Sequence, residues 1–155
     1  ELLLLRDNHI VFRRSRFFHG ELIPGTDVHD VTWLTPAGEE LTTDEWADPH
    51  RRTLGMMISG QAGQRFLTER GEPEPDDTFL VLLNAGHKRI TWTLPDGVDT
   101  QAWRVRLSTA YPTGVPSSRR SATSRIVVGA RTATVLVQYR ERQPGKRFRS
   151  SRSTP

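Results

Sequence analysis

With 155 residues, 22 Lys/Arg against 18 Asp/Glu and no cysteine, the chain suits a single domain that can bury about 68–70% of its unfolded surface. The missing cysteines exclude a disulfide framework and thiolate metal sites, as suits a reducing compartment. No apolar run reaches the ~18 residues that span a bilayer, and LLLL near the start is too short for a signal-peptide core. The net charge of +4 is unevenly divided: residues 119–155 hold 10 Lys/Arg and 1 Asp/Glu, so the body of the chain is net acidic.

Residues 1–16 read as one helix. Leu2 to Leu5 follow no capping Ser, Thr or Asp, so the pattern starts as if already under way. Leu2, Leu5, His9 and Phe12, with Leu4 and Val11 beside them, form a broad apolar face, and Arg6, Asp7, Arg13 and Arg14 lie opposite. Such a face needs a partner surface, and Phe17-Phe18 enlarges it. His19-Gly20 breaks the helix, and Leu22-Ile23-Pro24-Gly25 gives a short extended piece and a turn.

Residues 30–55 carry turn punctuation at Pro36-Ala37-Gly38. A helical turn after Thr43, with Asp44 and Glu45 at its start, is expected in what is otherwise an ordered loop. Residues 54–59 predict a short strand. The polar stretch 60–77, with Gly71-Glu72-Pro73-Glu74-Pro75 in it, reads as surface loop.

Residues 79–94 read as a β-hairpin around which the fold is organised. Phe79 to Leu83 is an unbroken apolar run of strand length, and Asn84-Ala85-Gly86-His87 supplies turn residues. On the return, Ile90, Trp92 and Leu94 point one way and Arg89, Thr91 and Thr93 the other. Pro95-Asp96-Gly97 ends it.

Residues 102–107 predict a strand with Trp103, Val105 and Leu107 on one face and Arg104 and Arg106 on the other. Residues 125–128 and 133–139 give two more strands with β-branched bias. From Gln143 the composition predicts a disordered basic tail. Short strands separated by turn signals argue a mainly β chain, an antiparallel sandwich preceded by one helix.

The chemistry-bearing residues are sparse in pattern. Glu39-Glu40, Asp44-Glu45 and Glu72, Glu74, Asp76 and Asp77 are acidic clusters, read as solvated charges and caps more readily than as general acids and bases. Calcium at Asp76-Asp77 lacks the spaced oxygen ligands of a loop site. The histidines His9, His19, His29, His50 and His87 show no ligand spacing, so neither a metal nor a cofactor is expected. Ser108 and Ser117 have no glycine elbow.

Phe79, Trp92 and Trp103 are assigned to the core; each buried indole removes about 150–250 Å² from water, a gross ~4–6 kcal/mol at ~25 cal/mol/Å². Trp33 and Trp46 are the candidates for stacking on a sugar ring, against the plainer reading that they pack the loop. Arg119, Arg120, Arg125 and the tail from Arg140 to Arg152 offer charge for phosphates, but Phe148 is their lone nearby aromatic; nucleic acid is the less favoured partner.

LLLLRDNHIVFRRSRFFHGE resembles the last barrel helix of bacterial isoamylase-type glycogen debranching enzymes, through Leu5, Arg6, His9, Phe12, Arg13, Arg14, Phe17, Phe18 and Gly20, with Ile10 where that family has proline. Asp30, Val31, Trp33, Pro36, Gly38, Glu40, Asp44 and Trp46 are similar to its next motif, with Leu41 for methionine. Asp76 to Leu80 with Asn84-Ala85 resembles the start of its C-terminal β-domain.

The resemblance implies an end of an α-amylase-superfamily glycoside hydrolase that cleaves α-1,6 branch linkages in glycogen or limit dextrin. It divides the chain into the last barrel helix (1–20), linking loops and short elements (21–77), the β-sandwich (78–140) and the tail (141–155). The retaining chemistry needs two carboxyl groups about 5–5.5 Å apart. The motifs that carry them in the family are absent from this sequence, so the chain is expected to hold no catalytic residue and to be inactive alone. The expected partners are the catalytic barrel and branched α-glucan, in the cytoplasm. A free-standing glucan-binding module is the alternative.

Overall fold

The computed structural model describes residues 2–13, 17–61, 76–95, 102–116, 121–122 and 124–140. The chain runs through α1 (Leu2–Asn8), a 3₁₀ turn (Ile10–Phe12), β1 (Val31–Leu34), α2 (Thr43–Trp46), β2 (Thr53–Ile58), β3 (Thr78–Asn84), β4 (Ile90–Thr93), β5 (Trp103–Ser108), β6 (Ser121–Ala122), β7 (Arg125–Val128) and β8 (Thr132–Gln138). Six strands form one sheet in the order β1-β2-β3-β8-β5-β6, and β4 pairs with β7 in a second. Every pairing is antiparallel. The fold is mainly β, with one short helix ahead of it.

β3 is a central strand, flanked by β2 and β8, and the first part of its apolar run is covered on both faces, by the β4–β7 ribbon and by the terminal segment, while Leu83 near its end is exposed. Leu80 and Leu82 look toward the β4–β7 ribbon and meet Leu34, Trp92, Leu94, Trp103, Val128 and Leu136. Phe79 looks the other way, with Ile58, Val135 and Val137, onto Leu5 and Val11. Phe79, Trp92 and Trp103 are almost wholly buried.

The expected hairpin does not form. β3 and β4 leave one sheet for the other, and Asn84 is the reason. Its Nδ2 donates to the carbonyls of Lys88 (2.9 Å) and Gly129 (2.7 Å), while its Oδ1 accepts from the Gly86 N–H (2.9 Å). The side chain therefore satisfies the loop's backbone and ties it to the turn before β8, directing the chain across the core rather than back along β3.

Residues 30–55 are more than a loop. Val31–Leu34 pairs along its length with β2, so the stretch 21–77 contributes two strands to the main sheet. Gly55 makes this possible. A Cβ there would stand 2.9 Å from Cζ3 of Trp92 and 3.1 Å from Cβ of Leu34, so the bare backbone is where the indole seats.

Simple alternation also fails in β5. Val105 faces Leu136 and Leu107 faces Val135, with Arg106 bulged between them. The extra residue turns Leu107 to the Phe79 side of the sheet, while Trp103 and Val105 stay on the Trp92 side.

The helix expected over 1–16 stops at Asn8. His9 is extended (φ −127°, ψ 119°) before the 3₁₀ turn. The Val11 N–H, which a continuous helix would bond to residue 7, instead donates to Oδ2 of Asp76 at 3.2 Å. A tertiary carboxylate has outcompeted the helix. Part of the apolar face meets the protein's own sheet through Leu5, Val11 and Phe12, while Leu2, Leu3, Leu4 and Phe17 remain 63, 76, 55 and 86% exposed.

Candidate functional site: an aromatic pair and a carboxylate latch

The turn of helix α2 is set by a capping box. The Thr42 hydroxyl oxygen accepts from the Glu45 N–H (3.3 Å), and Oε2 of Glu45 accepts from the Thr42 N–H (2.9 Å). These bonds to the backbone and hydroxyl of Thr42 hold the Glu45 carboxyl below its ordinary range, with the nearby Arg51 guanidinium adding to the effect. Nε of Arg51 donates to the Glu45 carbonyl at 2.7 Å, which closes the end of the turn.

That anchoring presents Trp46. Its ring lies 5.4 Å from the ring of Trp33 at an interplanar angle of 77°, an edge-to-face pair. The two candidate sugar-stacking residues are thus brought together, and Trp46 is 50% exposed. Trp33 belongs to β1, whose register aligns it with Met56, Val81 and Val135 across the sheet. The Leu41 N–H donates to the Trp33 carbonyl at 2.9 Å, fixing the intervening loop to the strand. The pairing holds Trp46 at the surface as a fixed, half-open aromatic ring.

A second cluster joins residues far apart in sequence. His9 Nδ1 lies 2.8 Å from Asp76 Oδ1, and Oδ1 also accepts from the Asp77 N–H at 2.7 Å. Burial opposes ionisation of Asp76, but the bonds from His9, Asp77 and Val11 outweigh it and hold its carboxyl below the usual carboxylate value. An ionised carboxylate only accepts, so the imidazole Nδ1 carries the donated proton. The ring of His9 also meets Phe79 edge-on at 4.7 Å.

His9, Asp76 and Asp77 each place a metal-ligating atom within 4.8 Å of the others. The acceptor sites of Asp76, by contrast with those of Asp77, are nevertheless largely used. Asp76 takes three donors, and Asp77 Oδ1 accepts from the Arg140 N–H at 2.9 Å. The chemistry supported is fastening, with the terminal segment at one end and the close of β8 at the other. Sequence reading missed this cluster, because no local spacing connects residue 9 to residue 76. The loop 71–75 and the basic tail lie outside the described residues.

Residues 30–142 match the family described as the isoamylase C-terminal domain. The chain is 38% identical over 136 residues to proteins named glycogen operon protein GlgX homolog from Mycobacterium bovis and from two strains of Mycobacterium tuberculosis. Each alignment covers 85% of this chain and 18% of the relative, so the chain spans less than a fifth of the length of these proteins. A Bacillus subtilis pullulanase type I complexed with maltose aligns over 57% of this chain and 10% of its own, at 12% identity and a TM-score of 0.38, a likeness too slight to carry an argument.

Proposed function

Because the chain belongs to the isoamylase C-terminal domain family, we propose that it is the non-catalytic β-domain of a glycogen debranching enzyme that hydrolyses α-1,6 branch linkages in glycogen or limit dextrin. Its role is to pack against and stabilise the catalytic barrel. The match to far longer proteins of a glycogen operon supports the reading. No helix among the described residues is long and apolar enough to cross a membrane, and the proposed location is the cytoplasm.

The observation that carries the docking role is the two-sided terminal helix. Leu5 is buried on the domain's own sheet, whereas Leu2, Leu3 and Leu4 stand in solvent with Phe17 beyond them. Apolar side chains contiguous in sequence and left outside mark a surface made for another one. The proposed cover is the catalytic barrel. The test is to express the catalytic portion alone and joined to this chain, and to follow thermal unfolding and release of linear chains from glycogen. The joined protein should melt higher, and the present chain should release nothing. Equal melting of both catalytic forms, or hydrolysis by this chain alone, defeats the proposal.

A second reading is favoured by the Trp33–Trp46 pair. In it, the domain itself holds glucan, with the half-exposed Trp46 stacking on a sugar ring. Retarded migration in a glycogen-containing native gel, lost in Trp46→Ala, is its signature; unchanged migration of both proteins removes it.

A further inference from the structure

One end of the main sheet carries its charges sorted by sign. The close of β1, the start of β2, the close of β3 and the start of β8 lie together there, since Leu34 pairs with Gly55 just inside the row formed by Thr53, Asn84 and Thr132. Backbone bonds bring the loops of this end into contact: the Ala85 N–H donates to the Arg52 carbonyl at 2.7 Å, and the Arg131 N–H to the Gly86 carbonyl at 3.0 Å. They gather Arg52, Lys88, Arg89 and Arg131, all exposed, from segments 49–59, 84–93 and 124–140, which hold no Asp or Glu. Beside them, beyond the close of β1, residues 35–50 hold the exposed Glu39, Glu40, Asp44 and Asp48 and no Lys or Arg. The two halves meet where Glu45 pairs with Arg51 at 3.5 Å, and the half-exposed Trp46 follows Glu45 in the chain.

Neither half is neutralised from within. The side chains of Arg52, Lys88, Arg89 and Arg131 make no hydrogen bond, ion pair or ring contact with the described residues. Glu39, Glu40, Asp44 and Asp48 have no ion pair among them either, and Asp48 accepts only the His50 N–H at 2.9 Å. Backbone bonds, not attraction, hold the cations together, so they repel one another. Arg131 also sits at φ 50°, a left-handed conformation that glycine adopts freely and long side chains adopt rarely. A turn that only had to join β7 to β8 is better served by glycine. The arginine instead adds charge to a surface already cationic, which suits a facing surface of the opposite sign.

We propose that this end of the sheet docks a second copy of the chain about a two-fold axis, with the acidic half of each protomer set on the cationic half of the other. Because the halves are adjacent on one surface, a single rotation makes both contacts at once, and the pair closes instead of growing into a filament. Trp46, beside the seam, supplies the aromatic centre that such a contact needs within its charged rim. A nucleic acid would meet the carboxylates as well as the cations, and the cations have no Phe, Tyr or Trp in their own loops on which a base could stack.

The contact is separate from the surface proposed for the barrel. The terminal helix packs around Ile58, Phe79 and Val137, at the opposite end of the same strands.

The experiment is sedimentation velocity of the full chain from about 10 μM to about 1 mM. A monomer–dimer equilibrium is expected at low salt, weakened about tenfold as sodium chloride rises from ~0.05 to ~0.5 M. Two reversed proteins, Arg52→Glu/Lys88→Glu/Arg89→Glu and Glu39→Lys/Glu40→Lys/Asp44→Lys, each checked for an intact fold by thermal melting, should be monomeric alone. Mixed in equal amounts they should form a dimer, because each reversed half then meets a complementary one. Trp46→Ala should weaken the native dimer about tenfold and leave its salt dependence in place. A monomer at every concentration in low salt overturns the proposal, as do reversed proteins that still self-associate or a mixture that stays monomeric. Association that salt strengthens also overturns it and assigns the contact to the exposed Leu2 to Leu4 face.

Discussion

Nδ1 of His9 meets Oδ1 of Asp76 at 2.8 Å across 67 positions of sequence, and this bond decides where the terminal helix ends. Asp76 also holds the Val11 N–H and, through its own N–H, bonds to the Gly60 carbonyl at 2.9 Å. One residue thus joins the terminal segment, the end of β2 and the start of β3. Asp76→Asn keeps the shape but removes the charge from these bonds. It should destabilise the chain by about 1–3 kcal/mol in urea unfolding. Adding His9→Ala to it should cost less than the two single losses summed, since both remove one bond.

The same carboxylate makes stability depend on acid. Its folded value lies below the ordinary 3.8, so the folded state binds fewer protons than the unfolded state in that region. The contribution is present in full above the unfolded value and is lost as pH falls through the lower folded one. Unfolding free energy measured downward from about pH 5 should drop in the native chain and drop less steeply in Asp76→Asn. Glu45 is also held low and titrates in both proteins, so the difference between the curves isolates Asp76. Superimposable curves would show that the latch carries no charge-dependent stability.

Gly55 is predicted to tolerate no larger side chain. A methyl group there lies 2.9 Å from the Trp92 ring and 3.1 to 3.2 Å from Leu34, and neither neighbour is free to retreat because both are core residues. Gly55→Ala should cost about 1–3 kcal/mol through overpacking and perturb the near-ultraviolet signal of Trp92. Combining it with Trp92→Phe should recover part of that cost relative to the sum of the single changes. If Gly55→Ala is neutral, the indole is not seated on the strand as described.

Strand positions were readable because β-branched and aromatic runs bounded by turns report burial directly, as at 125–128, which coincide with β7. Pairing was not readable. Asn84 looks like an ordinary turn residue, and only its bonds to Lys88 and Gly129 show that the chain changes sheets. Arg106 obeys perfect alternation in sequence, yet it is the bulge that turns Leu107 over. The indoles of Trp33 and Trp46 were visible as candidates, but their meeting depends on the capping box of α2 and on β1 being a strand. His9 and Asp76 carried no mutual signal, since long-range contacts leave no periodic trace in a single sequence.

The terminal helix provides the sharpest separation of self-packing from docking. Leu5 is 6% exposed and belongs to the cluster around Phe79, whereas Leu3, two positions away, is 76% exposed. Leu5→Ala should therefore lower the stability of the isolated chain by about 2–5 kcal/mol if the site stays rigid, with the lower end reached where the short helix relaxes into the gap. Leu3→Ser should leave the unfolding free energy in urea unchanged within about 0.5 kcal/mol, because it changes only a solvent-exposed side chain. In a protein carrying the proposed catalytic barrel, the order changes: Leu3→Ser should now lower the melting temperature, because the serine would face a buried contact. If Leu3→Ser is silent in both settings, the outer face of the helix is not the docking surface, and contact with the barrel has to be sought along the Trp33, Met56 and Val81 row instead.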